Sequence, residues 1–426
     1  MKILKTLALL LTLVSTVAYA LLEVTIVKSE ENAFPIVIAP FEVIGDADQG
    51  ADIANIIRDN LNRSGQFNAL SSNEVITNKI DFSYWKARNK DAIVFGKIEK
   101  VSSKVFNVYI YVYDIYTKKR LYGKKIAVHN SGIRRISHYL SDKIYNVLLG
   151  QKGSFDTRLT YVTVTNDEKL GRVYQLEISD ADGHNAQTVV KSSYPILSPA
   201  WSPDQKKIAY VSFKNGRSEV FIKYPFMRVK SIKLPRFDGI ASAPSWHPGG
   251  QGLALTISRE GNKDLYFYNL ESKKLIRLTK DVAIDTEANF SPDGKSIAFT
   301  SNRSGQVQIY IKDLTNGTIK RATFEGSYNA KPVFSPDGKT LALIHRIGKD
   351  YRVALLDIKT RDLTVMTQNK LDESPYFSPN GGMIIFATNR NNKGVLSVIS
   401  LHNNQIVELA QKGAEVREPN WSNYSK

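Results

Sequence analysis

EANFSPDGKSIAFTSNRSGQVQIYIKDLTNGTIKRATF, residues 287–324, contains four strand-like runs, EANFS, KSIAFTS, QVQIYIKDL and TIKRATF, joined by short turns. In PDG the proline presets φ and the glycine supplies the positive φ that closes the turn, and TNG makes another. Each run alternates apolar and polar residues, so a sheet of the four has two apolar faces and cannot bury them alone. Neighbouring sheets must cover them.

Sister phrases recur along the chain: SPAWSPDQKKIAYVS (198–212), PVFSPDGKTLALIH (332–345), PYFSPNGGMIIFAT (375–388) and, at the end, EPNWSNYSK (418–426). Their markers are Pro203, Pro248 in SWHPGG, Pro292, Pro336 and Pro379, separated by 45, 44, 44 and 43 residues, and a further step of 44 lands on Asn423. A period near 44 with four strand signals per unit is the length of a β-propeller blade. The aromatic before each Ser-Pro position (Trp201, Trp246, Phe290, Phe334, Phe377 and Trp421) is read as packing between blades. Asp293 and Asp337 are read as turn residues, because their loops lack the alternating oxygens of a calcium site.

Five full units begin near residues 197, 242, 286, 330 and 373. Before them, 158–190 supplies the second, third and fourth strands of a unit without a first; after them, EPNWSNYSK is a first strand with nothing following. The two fragments are predicted to form one sixth blade that closes the ring and leaves no edge strand exposed.

Residues 21–150 read differently. EVTIV (23–27), FPIVIAPF (34–41), DAIVFGKIEKV (91–101), VFNVYIYVYDIY (105–116) and RLYGKKIAVHN (120–130) are strand-like. Ile53, Ile56, Ile57 and Leu61 recur at helical spacing ahead of Gly65, and Ile136, Leu140, Ile144 and Leu148 do so ahead of Gly150. Phe106, Val108, Ile110 and Val112 should form a buried face, with Tyr109, Tyr111 and Tyr113 opposite as cross-strand packing. The fold class is therefore an α+β N-terminal domain followed by an all-β six-bladed propeller, divided as 1–20 signal, 21–152 α/β domain and 156–426 propeller.

MKILKTLALLLTLVSTVAYA places Lys2 and Lys5 before a short apolar run and a small-residue exit, the pattern of a cleaved secretory signal. The run is shorter than the roughly 20 residues that span a bilayer. With no cysteine, thiolate metal ligands, disulfides and catalytic thiols are excluded. The net charge of +17 falls to +15 without Lys2 and Lys5, and its scattered basic residues read as a solvated surface with some attraction for anionic envelope components.

Six dispersed histidines make no metal-ligand pair at short spacing, and neither a nucleophile-turn nor a phosphate-loop motif occurs. His247 reads as a turn residue. No catalytic, cofactor or metal site is expected. The best candidate surface is the set of loops joining the outer strand of one blade to the inner strand of the next. These carry Arg236, Phe237, Asp285, Thr286, Glu287, Tyr328, Asn329, Asp372, Glu373 and Arg417.

The whole chain resembles the TolB family of the Tol-Pal system of Gram-negative bacteria. The resemblance rests on the signal followed by EVTIV, on VYDIYTKKRL, on SDKIYNVLLGQKGSFDTRLTYVT at the domain junction, and on DESPYFSPNG and the terminal PNWS. It implies a monomeric, non-enzymatic periplasmic adaptor for outer-membrane integrity and envelope constriction in cell division. Its propeller face would hold the lipoprotein Pal through the residues just named other than Asp285, together with Ala243, and Leu21, Leu22, Glu23, Val24, Thr25, Ile26 and Val27 would engage TolA. RFDGIASAPSW is longer than the family's usual loop, and Phe237 stands where a polar residue is expected. The rivals are a glycan- or polyanion-binding propeller, and a remnant of a propeller-type peptidase, which would require a hydrolase domain that does not follow here.

Overall fold

The computed structural model describes residues 33–45, 50–77, 79–169, 171–259, 261–410 and 414–424. The predicted signal and the 21–27 strand lie outside them. In the N-terminal domain the strands are β1 (Phe34–Ile38), β2 (Glu42–Ile44), β3 (Phe67–Ser71), β4 (Ala92–Lys100), β5 (Val105–Asp114) and β6 (Arg120–His129). The helices are α1 (Gly50–Arg63), α2 (Phe82–Lys86) and α3 (Ile133–Leu149). The sheet runs β3-β1-β4-β5-β6, with β2 also on β4. β1 is parallel to β3 and β4, β2 is parallel to β4, and β4-β5-β6 is antiparallel. Parallel pairing of β1 and β3 needs a crossover, and α1 supplies it.

Phe106, Val108, Ile110 and Val112 are buried in one cluster with Ile53, Ile57, Leu61, Leu140 and Ile144. On the other face Tyr109 donates to Glu99 at 3.0 Å. Tyr111 and Tyr113 lie 5.4 and 5.9 Å from the Phe95 ring, and Tyr113 is 6.2 Å from Phe82 of α2. The tyrosine row is thus cross-strand packing, as its alternation predicts. The short α2 carries no apolar periodicity and could not be read in advance. It is started by Asp81, whose side chain accepts from the Tyr84 amide.

Six four-stranded sheets follow. Blades one to five start with inner strands Ile196–Trp201, Ile240–Trp246, Asp285–Phe290, Asn329–Phe334 and Asp372–Phe377. The sixth has Glu415–Trp421 inside, then Arg158–Asp167, Gly171–Asp180 and Gln187–Ser192. The terminal fragment does close the ring. Trp421 is buried and donates from Nε1 to Thr157 Oγ1 at 2.8 Å, while the Ser422 amide bonds to the Arg158 carbonyl at 2.8 Å.

The six marked aromatics are all buried, each among residues of the preceding blade: Trp246 with Ala209 and Val211, Phe334 with Ala298 and Ile309, Phe377 with Ala342 and Val353. This is the cover that neither face of a lone blade could provide.

Antiparallel order puts the turns between first and second and between third and fourth strands on one face, and the remaining loops on the other. The N-terminal domain sits on the turn face of blades five and six. Gly65, at φ +70, lets the chain leave α1 against Ser400 and Asn403, where a Cβ would collide. Ser400 Oγ donates to the Ser64 carbonyl at 2.7 Å, and the side chains of Gln66 and His402 meet at 2.5 Å.

Candidate functional site

On the loop face every inner strand carries a bulge at the same place, just before its aromatic. One residue of each bulge is non-glycine with positive φ: Ser198 (51), Ala243 (45), Glu287 (56), Lys331 (53), Ser374 (52) and Glu418 (50). Proline follows in five of the six, and a residue lacking N–H suits a position that the bulge removes from the ladder. The bulged amides turn toward the preceding blade. Glu287 donates to Thr256 Oγ1 at 3.3 Å, Lys331 to Thr300 Oγ1 at 3.0 Å, Glu418 to Glu373 Oε1 at 3.4 Å, and Ser198 to the Glu418 carboxylate. Positive φ in these residues is an unfavourable local conformation, and the bonds between blades hold it.

These six residues line one end of a central channel of about 360 Å³, and the Ser-Pro turns line the other. Lys331 is the cation among carboxylates. Its ammonium donates to Ser374 Oγ at 2.9 Å. Burial alone would lower its pKa, but Glu418, Glu287 and Glu373 raise it above the ordinary lysine value. Glu373 goes up as well, chiefly through burial and also through Glu418, with Lys331 opposing. Glu287 accepts from Thr300 Oγ1 at 2.9 Å and from the Lys331 amide at 3.2 Å. The channel mouth is therefore a compact, negatively biased ring with one half-buried cation.

The predicted surface residues divide. Ala243, Glu287 and Glu373 reach the mouth; Arg236 and Arg417 are exposed around it, and Thr286 and Tyr328 are half-buried. Arg417 is paired with Glu415 through Nε at 2.8 Å. Phe237 does not face solvent. It is buried, edge-to-face on Tyr268 at 5.0 Å, because an aromatic ring gains more from the cleft between blades than from water. Asn329 and Asp372 are buried too. Asn329 donates to Gln308 Oε1 at 2.9 Å and lies 2.8 Å from His345 Nδ1. Asp372 accepts from Thr367 and, at 3.0 Å, from Asn369. Asp285 holds the corresponding place in blade three and binds Arg303 Nη2 at 2.8 Å. Asp285 ties its inner strand to its own blade, whereas Asn329 and Asp372 tie theirs to the preceding blade, Asn329 holding His345 of its own blade as well.

Sequence reasoning missed Ser198, Lys331, Ser374 and Glu418. The signal was present, since each lies five residues before a repeat marker, as do Ala243 and Glu287. His247 does act as a turn residue, accepting from the Gly249 amide at 3.0 Å. Asp293 and Asp337 likewise accept from Ser291 and Ser335 at 2.6 Å.

A second charged group lies where α3 meets blade six. His138 is buried, with Nδ1 2.9 Å from the Asn60 amide nitrogen and Nε2 3.5 Å from Asp182. Arg134 pairs with Asp182, and Asn60 Oδ1 accepts from Arg63 at 2.9 Å. Burial, aided by Arg63 and Arg134, brings His138 down to about 4, although Asp182 opposes. Burial would raise Asp182, but the His184 hydrogen bond and the charges of His138, Arg63 and Arg134 hold it well below the carboxylate range.

A histidine with a depressed folded pKa takes up its proton earlier when unfolded, so its contribution is complete above about pH 6.5 and is lost as pH falls toward about 4. Asp142, pushed up to about 6 by burial, works in the opposite direction over much of that window. His138→Gln is therefore expected to cost stability at neutral pH and progressively less on acidification. The gap from wild type should shrink by about 2 kcal/mol between those limits, as measured by urea unfolding; parallel pH profiles would refute the assignment.

Two domains, a closed propeller and a charged channel mouth define a propeller-bearing scaffold. The comparisons with known proteins identify its family. The TolB amino-terminal domain family matches residues 22–121, and the TolB beta propeller domain family matches 145–425. The Tol-Pal system protein TolB of Ruthia magnifica subsp. Calyptogena magnifica is 68% identical over 420 residues, covering 99% of both chains. That of Nitrosococcus oceani is 42% identical, over 99% of this chain and 98% of its own. The crystal structure of TolB from Acinetobacter baumannii superposes with a TM-score of 0.83 at 40% identity, covering 92% of this chain and 97% of that one. The chain belongs to the TolB family of the Tol-Pal system, as a non-enzymatic component.

Proposed function

We propose that the chain is a periplasmic adaptor, exported by cleavage of residues 1–20, that works as a monomer in outer-membrane integrity and envelope constriction during division. Its channel mouth holds Pal, and the segment Leu21–Val27 engages TolA. The observation that carries the reading is the ring at the mouth, where Glu287, Glu373 and Glu418 surround Lys331 on the face away from the N-terminal domain. Arg236, Thr286, Tyr328 and Arg417 form the rim around it. Three carboxylates to one ammonium favour a protein partner that presents its own cations, and they disfavour a polyanion at this place despite the basic surface elsewhere.

Reversing Glu287 and Glu373 to lysine is expected to weaken Pal binding by at least about thirtyfold, as loss of desolvated charge contacts does. Calorimetric titration with purified Pal measures it, with thermal melting to confirm that the variant is folded. Unchanged affinity in a folded variant would remove the mouth from the interface. Coupling between the two partner sites has its own test. If Pal occupancy alters the availability of residues 21–27, their deletion must alter Pal affinity by the reciprocal amount; equal affinities would leave two independent sites.

A further inference from the structure

The turn between the third and fourth strands is built from polar side chains in five blades. Asn269 Oδ1 accepts from the amides of Glu271 and Ser272, Asp313 from those of Thr315 and Asn316, and Asp357 from those of Lys359 and Thr360. Asn403 and Asp182 do the same for Gln405 and His184. Blade one has instead KYPFMRVKSIK, residues 223–233. Its turn closes through the backbone, Met227 to Tyr224 at 3.2 Å, and Lys223 Nζ caps the Val229 carbonyl at 2.6 Å.

Phe226, Met227, Val229 and Ile232 are left 55, 57, 42 and 53% exposed. The sister turns close through polar side chains and leave no such group of large apolar residues exposed, so closing the turn does not require these four. Cations are interleaved: Lys223, Arg228, Lys230 and Lys233 stand in a stretch with no acidic residue between Glu219 and Asp238. Lys233 meets Glu219 at 3.4 Å. The Phe226 ring stacks on Trp201 at 6.2 Å and 19°, and the Arg158 guanidinium lies 4.7 Å from it, so the turn is pinned at its base.

We propose that this turn is an interfacial anchor for an anionic phospholipid surface. A stable protein interface needs about 800 Å² from each partner, more than one turn offers, and a soluble polyanion would use the cations but gain nothing from Met227 or Val229. A bilayer interface takes both, burying a few apolar side chains among acyl chains while lysine and arginine meet the headgroups. The turn lies on the face that carries the N-terminal domain, opposite the channel mouth. Lipid contact therefore leaves the mouth open, whatever partner it takes.

The test uses protein recovered from the exported fraction, so that every variant has the same processed N-terminus, and sediments it with vesicles. Phosphatidylethanolamine–phosphatidylglycerol vesicles are expected to bind it, and phosphatidylcholine vesicles much more weakly. Phe226→Ser with Met227→Ser should weaken binding by at least about tenfold, and Arg228→Glu with Lys230→Glu by about thirtyfold. Met227→Trp, which keeps an apolar residue in place, should show a blue-shifted emission on the anionic vesicles even if the serine variant proves unstable. Absence of binding, serine-variant binding equal to wild type, or an unshifted tryptophan would each overturn the proposal. Retention on an anionic polysaccharide that survives loss of Phe226 and Met227 would assign the cations to a polyanion instead.

Discussion

Deleting residues 416–426 is expected to abolish cooperative unfolding of the propeller. The deleted piece is most of the inner strand of blade six, paired antiparallel to Arg158–Asp167 in a register that includes Arg417 with Val162 and Trp421 with Leu159. It also carries Asn420, whose Oδ1 accepts from the Trp201 amide of blade one at 2.9 Å, so one strand joins blade six to the start of the ring. Losing a buried tryptophan alone costs about 3–5 kcal/mol, against a total domain stability of about 5–15 kcal/mol. The shortened ring would also expose the strand edge of Arg158–Asp167 and the apolar faces of the two neighbouring blades. Calorimetry should show the single propeller transition replaced by broad, weak melting. Glu418 leaves with the strand, so partner binding at the mouth should disappear as well. A truncated protein that still melts in one sharp transition would contradict the closure described here.

Lys331→Met is expected to have the second largest effect. Methionine retains most of the apolar stem but leaves Glu287, Glu373 and Glu418 facing one another without their counter-ion. Leaving half-buried carboxylates without their charged partner costs about 2 kcal/mol. The raised lysine pKa sets the sign: the contribution is complete below the unfolded lysine value of about 10.4 and is lost as pH rises through the folded one. On the acid side, protonation of Glu373, whose pKa burial raises, relieves the repulsion. Urea unfolding should therefore show the gap between wild type and variant widest near neutral to mildly alkaline pH and narrowing on acidification toward about pH 4.5. A gap independent of pH would mean that Lys331 acts through packing alone.

The architecture was legible because propeller grammar is local and repeated. A proline marker every 43 to 45 residues set the blade count, and the incomplete units at 158–190 and 418–426 set the closure. Helical spacing likewise revealed α1 and α3, whereas α2, only five residues long, offers no full period to detect. The site was legible only in part. Phe237, Asp285, Asn329 and Asp372 come from loops on the face of the candidate site, but all four are buried. A strand reverses the direction of its side chains at every residue, and a bulge resets that alternation, so loop membership does not reveal which neighbours point outward.

The sequence by itself determined the two-domain division, the six blades, their register and the shared last blade, since each follows from period and turn chemistry within a few residues. Only the tertiary structure decided what those residues do together. Glu287, Lys331, Glu373 and Glu418 lie far apart in the chain and become one charged group because ring closure brings equivalent bulges, and Glu373 beside one of them, to a common axis. His138 and Asp182 meet because two domains dock. Periodicity acts along the chain, whereas electrostatics and desolvation act through space, and a residue's charge environment is set by neighbours that its own segment does not contain.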